Sequence, residues 1–254
     1  MRERAEPLDG PVITALAQEA RRLNLGIVAG HVTREDGRVY NSAVLLDRRG
    51  NLAAVYHKTY PTISELERGV WPGDGAVVAD TEFGRLGFAI CYDLNFAELR
   101  LQYRDLRPDL LLFPSFYRGG LAARWWAYET HSYLVSSCVD PQSVIVNPLG
   151  RVIAETGMWS RTVTRTLNLD FAVLHYDYVN KTLAAARERY GGELEFEWAE
   201  PEGVMLVTGR GERPVRDLLA ELGWEEFEDY LARARDTRGR ALSGEQLKVG
   251  LPGW

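Results

Sequence analysis

Cys91 and Lys58 are the side chains in this sequence whose placement invites chemistry. Cys91 ends an apolar run, Leu86-Gly87-Phe88-Ala89-Ile90, just ahead of a helical pattern opened by Asn95 with Glu98 three residues on. A residue at such a corner projects from the end of a sheet, beside backbone N–H groups that no neighbour has claimed. A thiol there has two uses. The helix end favours a thiolate, and the N–H groups can hold an oxyanion as it forms. The competing reading is a structural thiol buried in the core. Lys58 closes a strand pattern over residues 52–58. A period of two puts Tyr56, Lys58 and Tyr60 on one face of it and His57 and Thr59 on the other. A site that uses Lys58 therefore excludes His57, which argues against a cysteine–histidine pair. Taken alone, Lys58 also reads as a solvated lysine at a strand end. Glu65 and Glu67 follow, ahead of Trp71-Pro72-Gly73, and by themselves read as surface charges.

The elements that must position these groups are legible from periodicity. Pro11 opens a helix with Ile13, Leu16, Ala17, Ala20 and Leu23 on one stripe, followed by a buried strand at 25–30. Strands at 39–46 and 52–58 form a hairpin, as do 77–80 and 85–90. A helix carrying Phe96, Leu99 and Tyr103 follows, then a strand at 110–113, a helix at 121–130 and strands at 133–139, 143–146, 151–154 and 162–169. Cys138, on the strand at 133–139, reads as a core residue. Beyond residue 172 helical patterns at 181–190, 215–222 and 225–235 flank an acidic, irregular stretch. The expected organisation is a domain over 1–185 and a helical extension over 186–254. The stripe Phe227, Tyr230, Leu231 and Ala234 in that extension suits a subunit contact or packing on its own domain. Mixed sheets with hairpins and alternating helices place the chain in the α/β class.

Composition narrows the functions. With 254 residues, 46% of them apolar, the chain can bury a sizeable core and is not a disordered tract. A net charge of -6 provides no overall field for nucleic acid or an anionic membrane. No apolar run is long enough to cross a bilayer, and the first seven residues hold no apolar core of a signal peptide. Two cysteines make no disulfide framework, so a cytoplasmic protein is expected. The four histidines are scattered without metal-ligand spacing. Ser115 lacks the Gly-x-Ser-x-Gly setting of a hydrolase elbow, and Gly209-Arg210-Gly211 lacks the rest of a phosphate loop.

Several fragments fall in a telling order. They are Tyr40-Asn41-Ser42-Ala43, Gly50, Tyr56-His57-Lys58, Pro72-Gly73-Asp74, Gly87-Phe88-Ala89-Ile90-Cys91-Tyr92-Asp93, Phe113-Pro114-Ser115, Asn147-Pro148-Leu149-Gly150-Arg151 and Glu155-Thr156-Gly157. This series, from about Pro7 to about Leu174, resembles the nitrilase superfamily of carbon–nitrogen hydrolases. The resemblance implies an α-β-β-α sandwich whose subunits pair through an outer helical layer, as a homodimer or higher homo-oligomer. It also implies a cysteine nucleophile, a lysine, a glutamate base and a supporting second glutamate. Cys91 and Lys58 match the first two. Glu67 is expected as the supporting glutamate, with Glu65 as its rival. The base belongs to a Pro-Glu pair ending an early strand, and neither Glu3 nor Glu6 follows an apolar strand. The family's first strand, first helix and second strand are therefore expected to be missing. An upstream, in-frame apolar strand ending in Pro-Glu is expected in preference to a naturally shortened, inactive relative.

The reaction implied is hydrolysis of a non-peptide C–N bond in an amide, carbamoyl compound or nitrile, through a Cys91 thioester and without metal or organic cofactor. The alternatives are transfer of the acyl group to an amine, and an inactive truncated homologue that binds a ligand or partner. Tyr92 would contribute its backbone N–H to the oxyanion. Tyr117, Arg118 and Trp125 are candidates for the pocket mouth, with Arg118 suited to grip a substrate carboxylate bidentately. The competing readings are a solvated loop charge for Arg118 and core or subunit contacts for the aromatics.

Overall fold

A computed structural model describes residues 2–139, 142–177 and 179–247. The chain divides into two compact units, Met1–Leu169 and Asp170–Trp254.

In the first unit, helix α1 (Pro11–Leu23) has Pro at its first turn and closes on Asn24 in the left-handed region, φ 52°. Its apolar stripe, Ile13 and Ala20, packs on Val44 and Leu46. Those residues belong to a three-stranded antiparallel sheet, β1 (Ile27–Glu35), β2 (Arg38–Leu46) and β3 (Leu52–His57), paired in that order. Asp36 and Gly37, both with positive φ, make the tight turn between β1 and β2. After the short α2 (Ile63–Glu67) comes a six-stranded sheet. It comprises β4 (Val78–Thr81), β5 (Gly84–Phe88), β6 (Leu110–Ser115), β7 (Tyr133–Cys138), β8 (Val144–Val146) and β9 (Val152–Glu155), in chain order. Strands β5, β6 and β7 are parallel, joined by helices α3 (Ala97–Leu106) and α4 (Leu121–Thr130).

Packing fixes the layers. Ala43, Leu45 and Tyr56 of the small sheet meet Leu86, Phe88 and Ile90 of the large one. The sheets come so close that a Cβ on Gly30 would lie 3.3 Å from Pro114 Cβ. On the other face of the large sheet, Leu99, Tyr103 and Trp126 of α3 and α4 cover Leu111, Leu134 and Val146. Trp126 is fully buried, and its indole N–H finds the Leu94 carbonyl at 3.0 Å, which satisfies its polar end. The first unit is thus stacked as helix, sheet, sheet, helix pair.

The second unit has its own core. Strands β10 (Phe171–His175), β11 (Leu194–Ala199) and β12 (Val204–Gly209) form an antiparallel sheet with β12 in the centre. Helices α5 (Val179–Tyr190) and α6 (Val215–Leu222) pack on it through Val179, Leu218 and Leu219; α7 (Phe227–Leu242) follows. Three local expectations need correction. The segment 162–169 is no strand: it finds no partner edge, and the last strand of that region begins only at Phe171. The stretch after 186 is not purely helical, because Leu194, Phe196 and Trp198 alternate with Glu195 and Glu197 and place one apolar face on the sheet. Asn95 does not cap α3. Phe96 occupies that position without a side-chain bond, and Asn95 donates to the Tyr92 carbonyl instead.

Candidate active site

Strand β5 ends at Phe88, and the chain turns into a single 3-10 turn, Cys91–Asn95. Cys91 itself has φ 49°, in the left-handed region. A residue with a Cβ sits there at a penalty of about 1–2 kcal/mol, so the surroundings must impose it. Asp93 is what holds the turn. Its buried carboxyl accepts the Ile90 N–H at 2.8 Å, the Tyr56 hydroxyl at 2.7 Å and the Tyr60 N–H at 2.9 Å. Burial pushes Asp93 up to about 6, although these three hydrogen bonds and the charge of Lys58 oppose the rise. Tyr56 and Tyr60 flank Lys58 in sequence, so one carboxyl locks both the Cys91 turn and the end of β3.

Lys58 is 2% exposed, a position a cation tolerates only when paired. Its Nζ donates to Glu65 Oε2 at 2.6 Å. Glu65 also accepts the Thr62 N–H at 2.7 Å and the Asn41 amide at 2.8 Å. Burial pushes the Glu65 carboxyl up, but Lys58, Thr62 and Asn41 together outweigh it and hold the group below the ordinary carboxylate range. Thr62 caps α2 by accepting the Glu65 N–H at 3.3 Å, so the capping box of this short helix is also the lysine's anchor. The Lys58 carbonyl takes the Gly73 N–H at 2.9 Å. A Cβ on Gly73 would lie 2.1 Å from the His57 carbonyl oxygen, which explains glycine after Pro72.

Glu67 must be corrected. It is exposed at the end of α2, and Glu65 rather than Glu67 pairs with Lys58. Residues two apart on a helix point about 200° from each other, so only one of the pair can face Lys58. His57 is off the site, as the period of two required. Its ring bonds Ser42 at 2.9 Å, stacks on Tyr40 and faces Glu35 at 3.3 Å.

The remaining candidates lie at the carboxyl ends of β6 and β7 or on the helices. Ser115 Oγ accepts the Tyr117 N–H at 3.0 Å and ties back to the Tyr117 carbonyl. Cys138 is half-buried rather than a core residue, since it ends β7, and its thiol donates to that same carbonyl at 3.4 Å. Burial pushes the Cys138 thiol up, helped by Cys91 and opposed by Ser136, Ser143 and Arg118. The Tyr117 hydroxyl is raised by burial and by both thiols. These mutual influences put Tyr117 and Cys138 at Cys91's end of the sheet. Arg118 donates to the Gln142 side chain at 3.0 Å. Tyr92 is exposed and edge-on to Phe96, which stacks on Tyr60. Trp125 is exposed on α4 beside Tyr128, with Arg100 over its ring. Glu6 accepts the Val12 N–H and lies 3.7 Å from His31.

A cavity of about 760 Å³ lies between the two sheets alongside β1, lined by Val28, Leu45, Leu86, Leu110, Leu112 and Pro114 among others. Cys91, Lys58 and Glu65 are absent from its lining, so this apolar groove is distinct from the hydrogen-bonded cluster. Among the described residues there is no group of three or more metal-ligating side chains, and no helix is long and apolar enough to cross a membrane. Sequence reasoning missed Asp93, Tyr56, Asn41 and Thr62 as the frame of the site. The signals were present in Cys91-Tyr92-Asp93, in the period-two face shared by Tyr56 and Lys58, and in Thr62 three residues ahead of Glu65.

The chain is similar to several known proteins. The chain is 28% identical to "Hydrolase C26A3.11" of Schizosaccharomyces pombe, over 60% of this chain and 56% of that protein. It is 27% identical to "Omega-amidase NIT2" of Homo sapiens, over 66% of this chain and 70% of that one. It therefore spans little more than half of the fission-yeast relative. Among solved structures, the CN-hydrolase superfamily protein XC1258 of Xanthomonas campestris shares the fold with a TM-score of 0.58, at 20% identity over 75% of this chain and 76% of that one. The pattern of the family described as "Carbon-nitrogen hydrolase" matches residues 1–174, more than half of the sequence. The chain belongs to the carbon–nitrogen hydrolase family of the nitrilase superfamily.

Proposed function

We propose that the chain carries the thiol half of an amidase-type hydrolase that cleaves a non-peptide C–N bond through a Cys91 thioester. The observation behind this reading is the buried Lys58–Glu65 pair, which shares one hydrogen-bonded frame with the left-handed turn at Cys91 through Asp93. A base takes the thiol proton as Cys91 Sγ bonds to the amide carbon. The carbonyl oxygen becomes an oxyanion, stabilised by the Lys58 ammonium and the Tyr92 N–H; one such donor contributes about 3–4 kcal/mol in the transition state. The C–N bond then breaks as the base returns its proton to the leaving nitrogen. Water adds to the thioester, giving its proton to the same base, and the acid and free thiol are restored. Glu65 keeps the ammonium in place throughout.

Glu3 and Glu6 are not assigned as the base. In this reading the base is a glutamate brought in alongside β1, whose outer edge suits a further strand. Val32 and Arg34 turn their backbone groups outward to Glu6, and residues of the same parity, Val28 and Gly30, turn theirs to the same open side above the apolar groove. The layering of the first unit supports a four-layer sandwich; subunits paired through outer helices as a homodimer or higher oligomer, and a cytoplasmic location, belong to the same reading. The test is ammonia release from a panel of amides, carbamoyl compounds and nitriles by the full-length protein. Release blocked by iodoacetamide and absent in Cys91→Ala supports the reading. Release that survives Cys91→Ala, or none from any compound, refutes it.

A further inference from the structure

Two tyrosines border Cys91, one on each of two neighbouring loops. The parallel strands β5 and β6 lie side by side, about 4.8 Å apart, and the loops that follow them leave the sheet at one edge. Phe88 pairs with Leu112, so Cys91, three residues on, stands level with Ser115, three residues on from Leu112. Tyr92 comes directly after the thiol, and Tyr117 two residues after Ser115. The two loops touch: a Cβ on Gly119 would lie 3.0 Å from Leu94 Cδ1. The Cys91 thiol is also felt at the Tyr117 hydroxyl, which burial pushes up first and the Cys91 and Cys138 thiols push further.

Both rings are held firmly. The Tyr92 carbonyl accepts the Asn95 amide at 2.9 Å, and its ring stands edge-on to Phe96 with 5.3 Å between centroids. Phe96 stacks in turn on Tyr60 at 3.7 Å, and Asp93 fixes the Tyr60 N–H. On the other loop, Ser115 bonds both the N–H and the carbonyl of Tyr117, and the Cys138 thiol holds that carbonyl from β7. The Tyr117 ring stands edge-on to Phe113 at 6.2 Å. Each tyrosine is thus backed by a second aromatic ring, yet they remain 38% and 36% exposed. Among the described residues neither hydroxyl makes a hydrogen bond, so no polar contact accounts for their placement. A tyrosine ring offers a large, rigid contact area with only two rotatable bonds, so it can hold a flat ligand at low entropic cost.

We propose that Tyr92 and Tyr117 are specificity residues that receive a flat aromatic group of the substrate, so that the enzyme prefers amides carrying an aromatic ring beside the scissile bond over small aliphatic amides. Aromatic rings attract one another edge-to-face or offset-stacked at centroid separations of about 4.5–7 Å, the range in which Phe96 and Phe113 already meet these tyrosines. A protein surface laid across the two rings would cap the thiol between them, whereas a flat small molecule leaves it room to react. This inference rests on Cys91 being the reacting thiol, and it names the substrate class for the hydrolase reading.

Alkylation of Cys91 separates the two, because it requires no turnover. The full chain is treated in parallel with iodoacetamide and its N-phenyl derivative, both uncharged, and modification of the Cys91 peptide is followed by mass spectrometry. The readout is the ratio of the N-phenyl rate to the iodoacetamide rate, divided by the same ratio for free glutathione, so the intrinsic reactivity of each reagent cancels. In the wild type this value is expected to reach at least about 5. It is expected to fall about fivefold in Tyr117→Ala and in Tyr92→Ala, the effect of one lost aromatic contact. Tyr117→Phe, which keeps the ring and loses the hydroxyl, is expected to retain the preference. A value of one in the wild type, or an unchanged value in both alanine variants, overturns the proposal even if ammonia release stands. Equal losses in Tyr117→Phe and Tyr117→Ala also overturn it, since the hydroxyl and not the ring would then be reading the reagent. A preference that falls in the alanine variants while no amide is cleaved retains the aromatic site and removes the hydrolase reading.

Discussion

At the scale of single residues, the buried Lys58–Glu65 pair dominates the site. Removing one partner of such a pair leaves an uncompensated buried charge, which destabilises by about 3–5 kcal/mol. Glu65→Gln is therefore expected to lower the urea midpoint severely, while the exposed Glu67→Gln stays within about 0.5 kcal/mol of the wild type. Equal effects of the two substitutions would show that Glu65 is not the partner. Asp93 makes the opposite kind of demand. Its folded-state value of about 6 lies above the ordinary 3.8, so the folded protein holds this proton more tightly than the unfolded chain. Stability is thus favoured while Asp93 is protonated and declines as pH rises from about 4 to about 6, by roughly 3 kcal/mol in total. Glu65 acts in the other direction. Its lowered value supports the fold above the ordinary carboxylate range, and that support fades as pH falls through the lowered value. Urea midpoints across pH 4–7 should show a descending component that Asp93→Asn abolishes. A slope unchanged in Asp93→Asn would assign it to another group.

At the scale of elements, the site depends on how closely two sheets approach. Gly30 of β1 faces Pro114 of β6 across the interface, with 3.3 Å between Pro114 and a Cβ built on the glycine. A valine there must push the sheets apart or force Pro114 aside. Gly30→Val is expected to destabilise by about 1–3 kcal/mol, measured by urea denaturation, as overpacked interiors do. A neutral result would mean that the sheets slide freely past each other at this point. The same closeness explains how β3, in one sheet, and the turn after β5, in the other, meet at Asp93. The Tyr56–Asp93 bond spans the sheets, and the packing of Tyr56 on Phe88 below it holds the two layers in register.

At the scale of the whole molecule, the first compact unit ends at Leu169 with a segment of no regular structure that follows β9. Met158 and Trp159 lie there, 72% and 95% exposed. Exposed backbone without sheet or helix bonds is where proteases enter a folded chain. Brief chymotrypsin treatment should cut first after Trp159 and release two fragments, identified by intact mass. First cleavage inside either hydrophobic core would contradict this division.

How much of this was legible beforehand follows from the range of the interactions involved. The thiol at the strand end, the lysine facing away from His57 and the helix–strand order of the first unit are consequences of period and neighbouring residues, so they could be read in the sequence by itself. Local pattern could not choose between Glu65 and Glu67, because both sit in one short helix and only the position of Lys58, on a separate strand, selects one. Asp93 was visible as a letter beside Cys91, yet its task depends on Tyr56, on the opposite sheet, and on Tyr60, in the loop that follows it. The strands hidden in the acidic stretch after residue 186 likewise needed β10 as a distant partner for β12 before alternation meant anything. Contacts between residues close in the chain are set by covalent geometry and side-chain type. Burial, charge pairing and strand partnership are set by what the folded chain places opposite, and only the tertiary structure decides that.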